Sequence, residues 1–138
     1  MISVDKNNLF KLKKANDAVI DPAAADLIAE DEVIVGTYKM TGDYVIGEGD
    51  NDAAKVVRDY IVFTNRRFIS AAILGLTGKT KDISFVSYRS AEAVSFETTE
   101  DLGVGLTLLV RFDGLGLVKF QFEKAEDVIL IGKAIGSF

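Results

Sequence analysis

The stretch RDYIVFTNRRFISAAILGLTGKTKDISFVSYR, from Arg58 to Arg89, decides the fold. It reads as three antiparallel strands in succession. Tyr60-Ile61-Val62-Phe63 is apolar at every position and rich in β-branched and aromatic side chains. A strand of that kind is expected to be covered on both faces. Asn65-Arg66 supplies a tight turn, because Asn tolerates positive φ. Arg67 to Leu74 returns as the next strand, residues 75–79 form a loop, and Thr80 to Tyr88 comes back with Ile83 and Phe85 expected inward. No catalytic constellation accompanies this sheet. A strongly specified scaffold without chemistry points to a binding or interaction module.

Toward the C-terminus the pattern continues. Arg89-Ser90 turns the chain and Ala91 to Thr98 forms a further strand. Val104, Leu106, Leu108, Val110 and Phe112 alternate strictly, and Asp113-Gly114 is a strong hairpin signal. The next strand carries Val118, Phe120 and Phe122 on one face, with Lys119 and Gln121 on the other. The period then changes. Val128, Ile131, Ile135 and Phe138 are spaced three, four and three, which is a helical stripe that Ile129 and Leu130 widen.

Toward the N-terminus, Glu32 to Met40 reads as the first strand, with Val33, Val35 and Thr37 on one face, and Val56 to Thr64 as the second. Residues 41–55 break the pattern, with Tyr44-Val45-Ile46 able to extend a strand. Residues 21–29 predict a short helix capped by Asp21 with Pro22 at its first position. Residues 5–15 predict another, with Asp5 as its cap and Leu9 and Leu12 on one face; Lys6, Lys11, Lys13 and Lys14 make it basic. The expected architecture is mainly β. A seven-stranded antiparallel barrel or orthogonal sandwich is stoppered by one C-terminal helix (residues 31–138), and a helical arm precedes it (residues 1–30).

The composition excludes much. The chain has 138 residues, no cysteine and no histidine. Disulfides, thiolate nucleophiles, Cys/His zinc sites and imidazole bases are therefore absent. A net charge of −5 disfavours nucleic acid and anionic membranes as partners. Met1 to Lys14 has no apolar core of the kind a signal peptide requires. A cytoplasmic location is the expectation.

Four short motifs in order carry a family resemblance. They are Arg58-Asp59-Tyr60-Ile61-Val62-Phe63-Thr64-Asn65-Arg66-Arg67, Gly75-Leu76-Thr77-Gly78-Lys79, Tyr88-Arg89-Ser90 and Glu97-Thr98. From about residue 30 onward the chain resembles the bacterial pleckstrin-homology family once known only as a domain of unknown function. The resemblance implies a pleckstrin-homology-like (PH-like) fold, ring-shaped homo-oligomers of about five protomers, a polar surface for protein contacts near the protomer junction, and no enzyme activity.

Individual motifs weigh less. Gly78-Lys79-Thr80 mimics the end of a phosphate-binding loop, but Ile73 stands where the first glycine belongs and a strand follows instead of a helix. The acidic loop over residues 43–52 offers hard oxygen ligands at Glu48, Asp50 and Asp52, without EF-hand spacing. Its acidity also argues against phosphoinositide recognition at the loop eukaryotic pleckstrin-homology domains use. Six cations remain as a candidate partner-binding set: Arg66, Arg67 and Arg89 at one end of the sheet, and Arg58, Lys79 and Lys81 at the other. The reading is a non-enzymatic interaction scaffold that assembles with itself into a ring, most simply a pentamer, and binds a further protein. No cofactor or metal is expected. A lipid- or membrane-surface module and a weak metal or small-molecule binder are the alternatives.

Overall fold

A computed structural model of the chain describes residues 9–40, 44–45, 55–56, 59–74, 80–99 and 103–137. Among these described residues ten strands run in chain order: β1 (Leu9–Ala15), β2 (Ile34–Met40), β3 (Tyr44–Val45), β4 (Lys55–Val56), β5 (Tyr60–Thr64), β6 (Arg67–Leu74), β7 (Thr80–Ser87), β8 (Ala91–Thr99), β9 (Gly103–Phe112) and β10 (Gly116–Gln121). Helix α1 (Pro22–Ala25) precedes β2, and helix α2 (Ala125–Gly136) follows β10. Eight strands form one sheet in the order β7-β6-β5-β2-β1-β10-β9-β8, and β3 pairs with β4 alone. The sheet curls around its aromatic core, and α2 lies against β8, β9 and β2.

The eighth strand is the main departure from expectation. Residues 9–15 are β1, not part of a helix; Asp5 and Lys6 lie outside the described residues. β1 sits between β2, antiparallel, and β10, parallel. Leu9 and Leu12 suggest a helical face, but Phe10-Lys11-Leu12-Lys13 also alternates with period two. The strand period prevails because it sends Phe10 and Leu12 into the core and Lys11 and Lys13 to solvent.

β5 is buried at all five positions, as its composition requires. Ile61 and Phe63 face the main core. Tyr60 and Val62 face a second apolar cluster with Ile69 and Ala71, covered by Ala24 and flanked by Val19, Ile20 and Ile28. The segment from Asn16 to Val33 is thus a lid over the outer side of β5 and β6. Its helix starts where expected: Asp21 accepts a hydrogen bond from Ala24 N–H at 3.0 Å, with Pro22 in the first turn.

The main core is built on a cluster of aromatic rings that meet mostly edge to face. Phe120 meets Phe63, Phe10 and Phe68 at centroid distances of 5.3, 5.4 and 5.6 Å. Val128, Ile131 and Ile135 of α2 close it, while Ile129 and Leu130, expected to widen the stripe, are 39 % and 41 % exposed. Phe138 lies outside the described residues. A second correction concerns β2. The register shifts between Ile34 and Gly36, so Val35 and Tyr38 reach the core while Thr37 faces the lid and donates to Asp17 Oδ1 at 2.6 Å. Val33, Val35 and Thr37 therefore do not share a face. Gly36 is needed here: a Cβ would stand 2.9 Å from the Tyr38 ring.

Candidate functional site

The turn between β5 and β6 and the 3-10 turn Tyr88–Ser90 lie together, as the meander predicts. Arg66, Arg67 and Arg89 line one open groove of about 620 Å³ with Glu32, Phe85 and Ser87. Arg58 and Lys79 lie outside the described residues, as does the side chain of Lys81, which stands on β7 opposite Ile73.

Glu32 organises the groove. Its side chain is almost wholly buried. Its Oε2 accepts from Thr64 Oγ1 at 2.6 Å and from Arg67 Nε at 3.0 Å. Its Oε1 accepts from Arg67 Nη2 at 2.9 Å and from Ala29 N–H at 3.1 Å. Burial alone would raise this carboxyl. The hydrogen bonds from Arg67, Thr64 and Ala29, with the Arg67 charge, outweigh it and hold the group at about 2. The two-pronged pairing suits the planar guanidinium.

Arg67 is held by its Nε and Nη2 and by the Phe85 ring. Besides Glu32, it donates to Leu27 O, and its guanidinium lies 4.7 Å from the Phe85 ring centroid. Arg66 pairs with exposed Asp31, whose carboxyl that hydrogen bond and charge draw below the usual range. Arg89 N–H donates to Ser87 Oγ at 3.2 Å. Behind the groove Tyr88 Oη donates to Thr64 O at 2.7 Å; burial, then the Glu32 charge, push this hydroxyl well above the ordinary tyrosine range.

Asn65 completes the lock. Its Oδ1 accepts from Val33 N–H at 2.9 Å, and its own N–H donates to Val33 O at 2.9 Å. The lid and the β5–β6 turn are therefore one rigid unit. The sequence placed the three arginines together but not their partners. Asp31 and Glu32 stand 35 residues before their partners Arg66 and Arg67, and no local period links segments that far apart.

Phe85 also departs from expectation. It points outward beside Arg67 and is 51 % exposed. The alternation of β7 instead sends Val86 toward the core and Ile83 to the lid cluster. Among the described residues the sheet ends at β7 and β8, eight and nine residues long, which Tyr88–Ser90 joins.

Comparison with known proteins agrees with this architecture. A solved DUF1696 family protein with a pleckstrin-homology domain from Shewanella loihica PV-4 superposes with a TM-score of 0.59, covering 94 % of this chain and 97 % of that one at 22 % identity. The uncharacterized protein YjqA of Bacillus subtilis (strain 168) is 36 % identical over 93 residues, 66 % of this chain and 74 % of that protein. The family model for the bacterial PH domain matches residues 45–138. With a curled sheet, a C-terminal helix across it and that model matching more than half its length, the chain belongs to the bacterial PH domain family.

Proposed function

We propose that this protein is a non-enzymatic interaction scaffold that assembles head to tail into a closed homo-oligomer, most simply a pentamer. The observation that carries this reading is the pair of terminal strands, β7 and β8, that no other described strand pairs on the outside. β7 and β8 are long, unlike each other and on one chain. A long free edge invites pairing with another strand. Two different edges favour a heterologous contact, which gives a ring when the rotation closes. Phe85 on β7 and Phe96 on β8 leave apolar rings exposed beside these edges.

The non-enzymatic part of the reading is supported by how the groove uses its charges. Glu32 holds four hydrogen bonds from the chain itself, which leaves it little capacity to take a substrate proton. Arg67 is occupied in the same way. In this reading the groove stiffens the edge and presents Arg66 at its rim to a protein partner.

Light scattering tests the assembly. The expected result is one species near five times 15.0 kDa. A stable monomer at micromolar concentration would refute it.

A further inference from the structure

The lid covers only half of the sheet's outer side. Across β2, β1, β10 and β9 the lid is absent among the described residues, and the outer face carries a line of cations. Lys13 stands directly opposite Lys39, and both are exposed. Lys11, two residues before Lys13 on β1, lies on the same face and also has a partner within the chain. Lys119 on β10 is opposite Leu9, one diagonal step from Lys11. Arg111 on β9 is opposite Leu117, one diagonal step from Lys119. The alternate residues of these strands, Phe10, Leu12, Tyr38, Val110, Val118 and Phe120, fill the core, which fixes the five cations on the outer face.

Strand spacing of ~4.8 Å, a two-residue repeat of ~6.8 Å and diagonals of roughly 7–8 Å make this a track about 25 Å long. Like charges directly across a strand pair destabilise a sheet. Among the described residues Lys13, Lys39, Lys119 and Arg111 form no ion pair with the chain's own acids. With these five charges set apart, the rest of the chain carries a formal −10.

We propose that this track is a docking site for an extended acidic segment of a partner protein. An extended chain places alternate side chains ~6.8 Å apart, so Asp or Glu at every second position matches the steps of the track. Lysine supplies point charges without the planar fork that specific phosphate recognition favours, and four of the five cations are lysine. Among the described residues no exposed aromatic ring stands beside them to stack a base, as single-stranded nucleic acid requires. A bilayer or a duplex would reach beyond the track and meet the strongly acidic remainder of the molecule, whereas a short peptide meets only the track. The inference is independent of ring formation, which is read by mass and not by peptide affinity.

The test is fluorescence anisotropy on the full chain at low salt. The probe is a labelled peptide of four alternating glutamates and glycines, and a peptide of the same composition with its glutamates in one block is the comparison. The expected result is tighter binding of the alternating peptide, weakened about tenfold or more in Lys13→Glu/Lys119→Glu. Lys13→Glu faces Lys39 and gains an opposite-charge neighbour, so the variant retains its fold; circular dichroism checks this, and Lys13→Gln/Lys119→Gln serves if it does not. Lys124→Glu/Lys133→Glu, of equal net charge and away from the track, retains affinity. Equal binding of the block peptide, unchanged binding in the double variant, no binding at all, or tighter binding to oligothymidylate or phosphatidylglycerol vesicles overturns the proposal.

Discussion

Tyr38 on β2 donates its hydroxyl hydrogen to Asp127 Oδ1 of α2 at 3.0 Å, and both side chains are buried. Lys14 Nζ reaches the same oxygen at 3.6 Å from β1. One carboxylate thus joins the C-terminal helix to two central strands. Glu126 and Asp127 also sit in the first turn of α2, where negative charge favours the helix dipole.

Removing that hydroxyl tests the join. Tyr38→Phe leaves a buried carboxylate short of a donor and is expected to cost about 1–3 kcal/mol. Urea denaturation measures it. Asp127→Asn, which keeps an acceptor, is expected to cost less than Asp127→Ala.

Alkaline titration gives a second outcome. Burial, then the Asp127 charge, raise the Tyr38 hydroxyl above the ordinary tyrosine range, and burial likewise raises Tyr88. The folded state favours the neutral phenols. Their contribution is complete below the unfolded pKa of about 10 and is lost as pH climbs above it. Tyrosinate absorbance from these two residues should therefore rise only together with loss of the circular dichroism signal. Ionisation of all tyrosines before unfolding would contradict this.

Acid acts through Glu32. Its folded pKa of about 2 lies below the ordinary value of 4.5. Such a group stabilises the fold above its unfolded pKa, and the effect fades as pH falls from about 4.5 through about 2. The full effect is on the order of 3 kcal/mol. The urea midpoint should drop across this range in the wild type and change less in Glu32→Gln. Arg67→Ala, which strands the buried carboxylate, is expected to cost about 3–5 kcal/mol at neutral pH.

The close approach of α2 to β8 makes a double-mutant cycle informative. A Cβ on Gly132 would stand 2.5 Å from the Phe96 ring. Gly132→Ala gains ~1 kcal/mol of helix propensity but forces that ring aside, and a net loss of about 1–2 kcal/mol is expected. In a Phe96→Ala background the same change should stabilise. Thermal melts of the four proteins decide it.

The ring cluster gives the largest expected loss. Phe120 is fully buried and contacts three other rings. Phe120→Ala is expected to cost about 3–5 kcal/mol, and Phe120→Leu markedly less.

Much of this was legible locally. The uniformly apolar Tyr60–Phe63 announced a strand covered on both sides. The alternation of Val118, Phe120 and Phe122 told which face is core, and Val128, Ile131 and Ile135 told that α2 closes it. Each follows from burying one face of an element whose period the backbone sets. The three arginines fell together because meandering strands return their turns to one end. Residues 9–15 were misread because two periods fit so short a run, and only a vacancy between β2 and β10 selects the strand.

The order of residues along the chain determined the strands from β5 to β10, the closing helix α2, the core faces of β5 and β10 and the family, since those depend on neighbours within a few positions. Tertiary structure alone decided the partners: Glu32 with Arg67, Tyr38 with Asp127, the bulge that turns Val35 inward, and the register that aligns five cations from four strands. Those contacts join segments tens of residues apart, and their geometry is set by strand register and close packing, which no local period encodes.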